Sequence, residues 1–493
     1  MNEVRTRQDV WELGDEKDPW RDPTLLAYAQ GVGAMQEVAQ REPGNGANWT
    51  NQAAIHERRG SKVPGRLEDQ CQHATWFFLP WHRMYLYWFE QIVRSHIDAD
   101  YGDWALPYWN YSASEAKRSL PPAFREQQLP DGGPNPLYVE ERQKTSRRDI
   151  NGGDPMTEAA VETAEAMAQA VFSRTSPGST GGFGGSETDP LFHHPATGEG
   201  VGVLEEVPHG SVHVEVGGRN GFMSYFSTAA LDPIFWLHHA NLDRLWEEWR
   251  RTAGSGHPAG VNPTASDWLD MRFEFVNPQD GRPKMAVRDV LDIEAQLRYT
   301  YSDLPAAEAP APEPGSPRSL AKMADEGNPE HPPELVGASE GPLTLAGRTT
   351  AASVPVSPPS GPASRALSEQ EGPAATYLNI ENIRGEAVPG VLYGVYLNLP
   401  EGEPAEPDSP SYVGAISLFG IEATQPDDEK EEAPHGLHYT FDISGKLAGL
   451  REQGRWNPER FEVTFSPVGV DAEAEGELDV PSVEVGRVSV FVE

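Results

Sequence analysis

The sequence predicts two structural units, a mainly α-helical domain followed by an all-β sandwich domain. Three observations support this fold class. Apolar residues recur at helical spacing in three long stretches before residue 301, proline is enriched between residues 304 and 375, and apolar and polar residues alternate after residue 375. A chain of 493 residues is also longer than one ordinary domain.

The helical stretches cover residues 24–41, 79–96 and 234–252. Pro80 and Pro233 lie at or near the first helical position of the last two, where a missing amide hydrogen removes no intrahelical bond. Asp232 is a suitable N-cap, because its carboxylate can accept hydrogen bonds from the first amides of a helix. The first domain is predicted to span residues 1–303.

Residues 304–375 contain 14 prolines in 72 positions, about twice the average of the chain, and few large apolar residues. Such a segment buries too little apolar surface to offset the entropy lost on ordering, so an extended linker is predicted. The segments LVGAS, LTLAG and ASVPV, between residues 334 and 356, leave an alternative open, in which they are short strands of the following domain.

Six segments after the linker alternate between apolar and polar residues with a period of two. They are TYLNIENI, GVLYGVYLNL, SYVGAISLFGI, HYTFDI, RFEVTFSPV and VGRVSVFVE. Turn residues separate the segments, which is typical of an antiparallel sandwich. The second domain is predicted to span residues 376–493.

The net charge is −37, from 76 acidic and 39 basic residues. Residues 301–493 carry 33 acidic and 11 basic residues, so the acidic excess is concentrated in the linker and the β domain. Nucleic acids and anionic membranes are recognised through basic surfaces, and we exclude both as main partners. The sequence contains no apolar run as long as a secretory signal or a membrane span, and the chain as written is expected to be cytoplasmic.

The first of two histidine clusters contains His56, His73 and His82. His56 ends the helical stretch NWTNQAAIH, and the other two lie nine residues apart in CQHATWFFLPWHR. A helix that begins at Pro80 carries His82 in its first turn, whereas His73 lies on the incoming strand or loop. Three imidazoles from separate segments can share one metal ion.

The second cluster contains His209 and His213 in PHGSVH, and the neighbours His238 and His239 in DPIFWLHHANLDRLW. Spacing i, i+4 places the first two on one helix face, about 6 Å apart at Cβ. A third imidazole from the next helix would complete three-nitrogen coordination with open positions, as a catalytic site requires. A histidine beside aromatic residues is more often a core residue, but packing alone does not explain six at these intervals, and we predict a dinuclear centre.

The segments WFFLPWHRMYLYWFE, PHGSVH and DPIFWLHHANLDRLWEEW resemble the two copper signatures of the tyrosinase, catechol oxidase and haemocyanin family. The resemblance covers about residues 1–303 and implies a four-helix-bundle core with a type-3 centre of two copper ions. The implied ligands are His56, His73 and His82 for the first ion and His209, His213 and His239 for the second. We choose His239 over His238 because the family ligand precedes an acidic residue by four positions, here Asp243, which is expected to orient an imidazole.

Cys71 is the single cysteine of the chain, which excludes an intramolecular disulfide. It resembles the Cys-x-His element of fungal tyrosinases and molluscan haemocyanins, in which a thioether joins the sulfur to the second ligand of the first copper. The resemblance therefore implies a thioether between Cys71 and His73. An ordinary buried thiol is the alternative.

The resemblance also implies roles for positions around the second copper. Glu205, four residues before the first ligand of that ion, matches the acid that holds a water in relatives, with Glu206 as an adjacent competitor. Gly210 occupies a place where efficient monophenol hydroxylases often have Asn, and Phe226 matches the bulky gate residue of several catechol oxidases. His238, if it is not a ligand, is expected to line the substrate entrance. A scaffold role is the alternative at each position.

Two copper ions held by neutral imidazoles are suited to dioxygen reduction and two-electron oxidation of phenols. Hydroxylation of a monophenol also requires its deprotonation, and a water held by both Glu205 and an Asn would serve as the base. Gly210 has no side chain that could hold this water together with Glu205. We therefore expect oxidation of o-diphenols or o-aminophenols to o-quinones, with dioxygen reduced to water and weak or no monophenol hydroxylation. A full tyrosinase is the alternative, and a haemocyanin-like oxygen carrier or a binding protein without metal fits less well.

The second domain resembles, more loosely, the β domain that shields the active site of latent plant and fungal polyphenol oxidases. Tyr299 and Tyr301 resemble the tyrosine pair that closes the catalytic domain in those relatives. The linker is expected to allow proteolytic release of the second domain. Its trypsin-type sites are Arg318, Lys322, Arg348 and Arg365. We therefore expect a latent enzyme whose partners are small phenols, dioxygen and an activating protease.

Overall fold

The computed structural model describes residues 3–57, 67–144, 148–176, 178–190, 200–252, 260–305, 333–356, 375–424, 436–457, 459–469 and 479–493. Within these ranges a helical domain precedes a β sandwich, and the predicted fold class is confirmed. None of the helices described is long and apolar enough to cross a membrane.

The helical domain is built on long helices that the sequence pattern located well. Its helices are α1 (Val10–Leu13), α2 (Pro23–Arg41), α3 (Trp49–His56), α4 (Phe78–His96), α5 (Ala164–Met167), α6 (Ser211–Gly217), α7 (Ile234–Arg251) and α8 (Ser266–Asp270). The three predicted helices match α2, α4 and α7 to within one residue at each end. Before α7, the backbone amide of Ile234 donates to Asp232 Oδ1 (3.1 Å), as expected of an N-cap residue.

Helix α4 lies at the centre of the domain and packs against both α2 and α7. On the α7 side, Phe89 and Trp236 stack with ring centroids 3.5 Å apart. On the α2 side, a Cβ atom at Gly31 would lie 2.7 Å from Val93 Cγ1, so the glycine permits the close approach of the two helices. This packing fixes the relative positions of α4 and α7.

Short strands complete the helical domain. They are β1 (Arg5–Arg7), β2 (Arg272–Glu274), β3 (Lys284–Ala286) and β4 (Tyr299–Tyr301). Strands β2 and β3 pair antiparallel, whereas β1 pairs with β4 in parallel. The parallel pair joins the beginning of the domain to its end.

The second domain is a sandwich of two sheets. Its elements are β5 (Glu334–Ala338), β6 (Leu343–Leu345), β7 (Thr350–Pro355), β8 (Thr376–Gly385), β9 (Tyr393–Leu397), β10 (Tyr412–Ile416), β11 (Leu437–Asp442), α9 (Ser444–Glu452), β12 (Arg460–Pro467) and β13 (Val483–Val492). One sheet has the order β10-β9-β12-β7, and the other β11-β8-β13-β5 with β6 also paired to β13. In β12, Phe461, Val463 and Phe465 are fully buried, which is the period of two that predicted the strand.

Part of the predicted linker belongs to the sandwich. Strands β5 and β6 pair with β13, and β7 pairs with β12. The alternative left open for residues 334–356 is therefore the one that the structure shows, because backbone pairing stabilises short strands that their proline-rich surroundings obscure. The rest of the predicted linker, residues 306–332 and 357–374, lies outside the described residues.

Candidate metal centre

The first histidine cluster is assembled in the interior of the helical domain. Ligand atoms of His56, Cys71, His73 and His82 lie within 4.8 Å of one another, and all four residues are buried. His56 is the last residue of α3, His82 lies in α4, and His73 lies on the irregular segment before α4. The structure thus brings together the three histidines predicted for the first ion.

The second cluster has the same compactness. Ligand atoms of His209, His213, His238 and His239 lie within 4.8 Å of one another, again in the interior. His209 precedes α6 by two residues and its ring lies 4.7 Å from that of His213, so the i, i+4 spacing acts as predicted. Helix α7 supplies the other two histidines.

The two clusters are in contact with each other. The rings of His82 and His239 stack with centroids 4.4 Å apart, and the rings of His73 and His209 lie 5.5 Å apart. Two metal ions held by these clusters would therefore be neighbours in one buried centre.

Backbone carbonyl groups fix the tautomer of four imidazoles. A carbonyl oxygen only accepts, so the ring nitrogen that faces it is Nδ1–H and the lone pair is on Nε2. The hydrogen bonds run from His56 Nδ1 to Phe226 O (2.7 Å), His82 Nδ1 to Phe78 O (2.9 Å), His209 Nδ1 to Glu205 O (3.1 Å) and His213 Nδ1 to Met223 O (2.6 Å). Four Nε2 atoms are thereby prepared to bind metal.

The donor set fits copper. Burial, together with neighbouring imidazoles, lowers the pKa of all four histidines of the second cluster well below its ordinary value, so they are neutral. His213 Nε2 lies 3.4 Å from His239 Nε2, and His209 Nε2 and His239 Nδ1 are buried with no hydrogen-bond partner in the described part of the chain. Copper accepts neutral imidazoles as ligands, because the ring nitrogen without a proton offers its lone pair to the metal.

His238 and His239 differ in their surroundings. The Nδ1 atom of His238 lies 3.2 Å from the hydroxyl of Tyr111, whereas His239 faces His213 and stacks on His82 of the first cluster. The stacking on the first cluster supports His239 as the ligand, and the choice stays a prediction. His238 is fully buried, and its role at a substrate entrance also stays a prediction.

Cys71 lies between two histidines of the first cluster. Its Sγ atom is 3.6 Å from His73 Nδ1 and 3.9 Å from His82 Nε2. Burial raises the pKa of the Cys71 thiol well above its ordinary value, and the charge of Glu205 adds to this. The sulfur is close enough to His73 for the predicted thioether, which stays a prediction.

The two adjacent glutamates face different surroundings. Glu205 Oε1 accepts a hydrogen bond from the amide of Ala74 (2.8 Å), the residue after His73, and Glu205 Oε2 is buried with no hydrogen-bond partner among the described residues. Burial raises the pKa of Glu205 to about 8. Glu206 instead lines a cavity between the two domains. The contact with Ala74 favours Glu205 over Glu206, and its role as the acid that holds a water stays a prediction.

A side chain of the β domain reaches the centre. Phe419, in the turn after β10, stacks on His213 with ring centroids 4.2 Å apart and contacts the ring of Phe226 at 4.6 Å. Phe226 in turn lies 4.5 Å from the ring of His73. The sequence prediction missed Phe419 because SYVGAISLFGI was read as one strand, whereas the strand ends at Ile416. The available signal was the adjacent apolar pair before Gly420, which breaks the alternation.

Gly210 packs against the same turn of the β domain. A Cβ atom at this position would lie 2.6 Å from Ser417 Oγ and 3.5 Å from Phe419 Cβ. The position predicted to influence monophenol hydroxylation is therefore also a contact between the two domains.

Asp243 anchors the ligand helices instead of orienting an imidazole, which corrects the expectation from sequence. Among the described residues, its carboxylate bonds to arginine and tyrosine side chains. Oδ1 accepts from Arg83 Nε (2.5 Å), and Oδ2 accepts from Tyr299 OH (2.6 Å), Tyr301 OH (2.5 Å) and Arg7 Nη1 (3.5 Å). Because Arg83 follows His82 and Asp243 lies one turn after His239, this ion pair ties α4 to α7 at the centre.

Comparisons with known proteins agree with this geometry. Residues 46–252 match the common central domain of tyrosinase, residues 262–311 the polyphenol oxidase middle domain, and residues 332–493 a domain of unknown function. A tyrosinase of Hahella sp. (strain CCB-MM4) is 32% identical over 99% of this chain and 100% of its own length. Polyphenol oxidase A1 of Vicia faba is 32% identical over 57% of this chain, which spans 46% of that plant protein.

Solved structures show the same two-domain fold. Latent apple tyrosinase has a TM-score of 0.62 at 22% identity and covers 100% of this chain and 98% of its own. A latent aurone synthase has a TM-score of 0.59 at 19% identity and covers 100% of this chain and 90% of its own. From the full-length relative and the two histidine clusters, the chain belongs to the tyrosinase and polyphenol oxidase family and is a copper-dependent oxidoreductase with a dinuclear type-3 centre that acts on phenols with dioxygen.

Proposed function

We propose that the protein oxidises o-diphenols or o-aminophenols to o-quinones while dioxygen is reduced to water, with weak or no hydroxylation of monophenols. The observation that supports this preference is Gly210, which offers no side chain to hold a water together with Glu205. The two copper ions, when bound, supply dioxygen binding and the two-electron redox chemistry.

The side chains of the protein orient and desolvate the reactants. Carbonyl-bonded imidazoles keep their Nε2 atoms in fixed directions. The ring of Phe226 lies against that of His73 and limits the orientations open to an aromatic substrate. Glu205 Oε2, which has no hydrogen-bond partner among the described residues, is placed to hold a water that takes up the substrate proton.

Replacing Gly210 by Asn tests this preference. We expect the ratio of tyrosine oxidation to catechol oxidation to rise at least about tenfold, the effect of about 1.4 kcal/mol, because the amide supplies the second hold on the water. Oxygen uptake on paired mono- and diphenols is the measurement. Gly210→Ala is the matched control, since both variants disturb Ser417 but only Asn adds an amide. Wild-type protein that turned over tyrosine as fast as catechol, without a lag, would contradict the proposal.

We propose in addition that the enzyme is latent and that the β domain, residues 333–493, is its lid. The stacking of Phe419 on His213 supports this, since a phenol ring would need the same space. A separate contact anchors the lid, because Asn379 Nδ2 donates to Gly178 O (2.9 Å) and Phe491 packs closely on Gly178. Access for substrate then requires displacement of the lid.

Strands β5, β6 and β7 pair with later strands of the lid, and this pairing restricts which cuts can release it. Arg348 lies between β6 and β7, and Arg365 lies between β7 and β8. Cleavage at either site therefore cuts within the lid and does not separate it from the oxidase domain. Arg318 and Lys322 lie between β4 and β5, where a cut separates the two domains. Of the four predicted protease sites, only these two would allow release.

Limited trypsin digestion combined with gel filtration tests the latency. We expect catechol oxidation to rise at least about tenfold when the lid dissociates. A closed state that is favoured by only about 1.4 kcal/mol already outnumbers the open state about tenfold. Phe419→Ala should raise the activity of the uncut chain, and Phe419→Leu, which keeps apolar bulk, should raise it less. Latency is refuted if the lid dissociates and catechol oxidation does not change.

A further inference from the structure

A cavity of about 450 Å³ lies between the oxidase domain and the lid, and no predicted copper ligand lines it. Its charged lining residues are Glu158, Glu162, Glu165 and Glu206 of the oxidase domain and Asp408, Asp442 and Lys446 of the lid. Six carboxyl groups thus face one ammonium group. Like charges this close in a partly dehydrated space repel strongly if all of them ionise.

Two of these carboxyl groups lie beside the free edge of the lid. Strand β11 is an edge strand, and the amide of Ile443, just after it, donates to Thr376 O on β8 (2.8 Å). Because amides alternate in direction along a strand, those of Thr440 and Asp442 point away from β8. The Thr440 amide lowers the pKa of Glu206, and the Asp442 amide lowers that of Glu165, but burial outweighs both effects.

The cavity favours the protonated form of these groups. Burial, followed by the charges of Glu162 and Asp442, raises the pKa of Glu165 to about 8. Burial and the charge of Glu165 raise the pKa of Glu206 well above its ordinary value. The hydroxyl of Tyr412 also lines the cavity, and burial raises its pKa, so it stays neutral. Of the described residues that line the cavity, Lys446 is the one that carries a cationic group.

The direction of the pH effect follows from linkage. Docking of the lid raises the pKa of Glu165 above its value in the open chain, so the docked form binds the proton more tightly. This contribution to docking is complete below the ordinary pKa of a glutamate and is lost as the pH rises through about 8. Ionisation then places the charge of Glu165 against those of Glu162 and Asp442.

We propose that Glu165 and Glu206 form a proton-dependent latch, which holds the lid over the metal centre in neutral and acidic solution and loosens it in alkaline solution. The consequence for catalysis rests on the proposed latency, whereas the latch itself concerns only docking of the two domains.

Small-angle X-ray scattering of the copper-loaded full chain, from about pH 6 to about pH 10, tests the latch. We expect the radius of gyration to increase with a midpoint near pH 8. Glu165→Gln keeps the size of the side chain but cannot ionise, so the midpoint should move up by at least about one pH unit. Lys446→Met removes the cation and should move the midpoint down. Glu37→Gln, at an exposed position on α2 with 72% of the side chain accessible, is the matched control and should not move it.

Catechol oxidation measured in the same samples separates the two proposals. Expansion without a gain of activity would contradict the latency and leave the latch standing. The latch is overturned if the chain stays compact throughout this pH range, or if the midpoints of Glu165→Gln, Lys446→Met and Glu37→Gln coincide with that of the wild type.

Discussion

Replacing His239 by Ala is expected to remove one of the two copper ions and to reduce catechol oxidation to background. The imidazole of His239 faces His213 and stacks on His82, so it lies where the two clusters meet. Loss of a hydrogen bond behind a ligand already lowers metal affinity by about 10- to 100-fold, and loss of the ligand itself should exceed that. Copper content per chain, measured by atomic absorption after dialysis, is the primary measurement.

His238→Ala is the matched control, because it removes the neighbouring imidazole from the same helix. We expect this variant to keep two copper ions, since of the two neighbours it is His239 whose ring stacks on His82 of the first cluster. Retention of both ions by His239→Ala, with loss of one by His238→Ala, would reverse the assignment.

Replacing Arg83 by Met is expected to lower the free energy of unfolding of the copper-free protein by about 3 to 5 kcal/mol. Arg83 is fully buried and bonds to both Asp243 and Glu247, so the substitution removes the buried cation that these two carboxylates share. Arg7 then remains beside Asp243, and Arg250 beside Glu247. Although burial alone raises the pKa of Asp243, Arg83 and Arg7 hold it below its ordinary value. The measurement is urea unfolding followed by tryptophan fluorescence.

Arg250→Met is the control for this experiment. Arg250 also pairs with Glu247 (3.0 Å), but 30% of its side chain is exposed. Its replacement should cost about 1 kcal/mol or less, since the pair is partly exposed and Glu247 keeps its bond to Arg83 (2.8 Å). Equal losses for the two variants would show that Arg83 does not hold α4 and α7 together.

The sequence was most informative where one physical signal dominated. Helices α2, α4 and α7 have strong helical periodicity and proline near an N-terminus, so their bounds followed from the chain alone. The histidine spacings were equally clear, because i, i+4 positions share a helix face wherever the helix lies in the fold. Both kinds of signal are local.

The features that sequence reasoning missed depend on contacts between distant segments. Phe419 meets His213 only because the lid docks in one orientation, and a turn residue carries no local mark of its partner. Asp243 was assigned to an imidazole because the partners that compete for it, such as Arg7 and Tyr301, lie more than 50 residues away. In the linker, composition outweighed three short alternations that become strands only when β12 and β13 pair with them.

The parallel pairing of β1 with β4 gives the first residues of the chain a part in holding copper. Arg7 bonds to Glu90 on α4 (2.9 Å) and to the hydroxyl of Tyr301 (2.9 Å). Arg7 and Tyr301 both also bond to the carboxylate of Asp243, one turn from His239. An N-terminal truncation that passes residue 5, or a rigid fusion placed there, would therefore loosen a ligand helix more than 230 residues further along the chain. The N-terminal residues therefore help to hold the metal site together, and an affinity tag should be placed away from them.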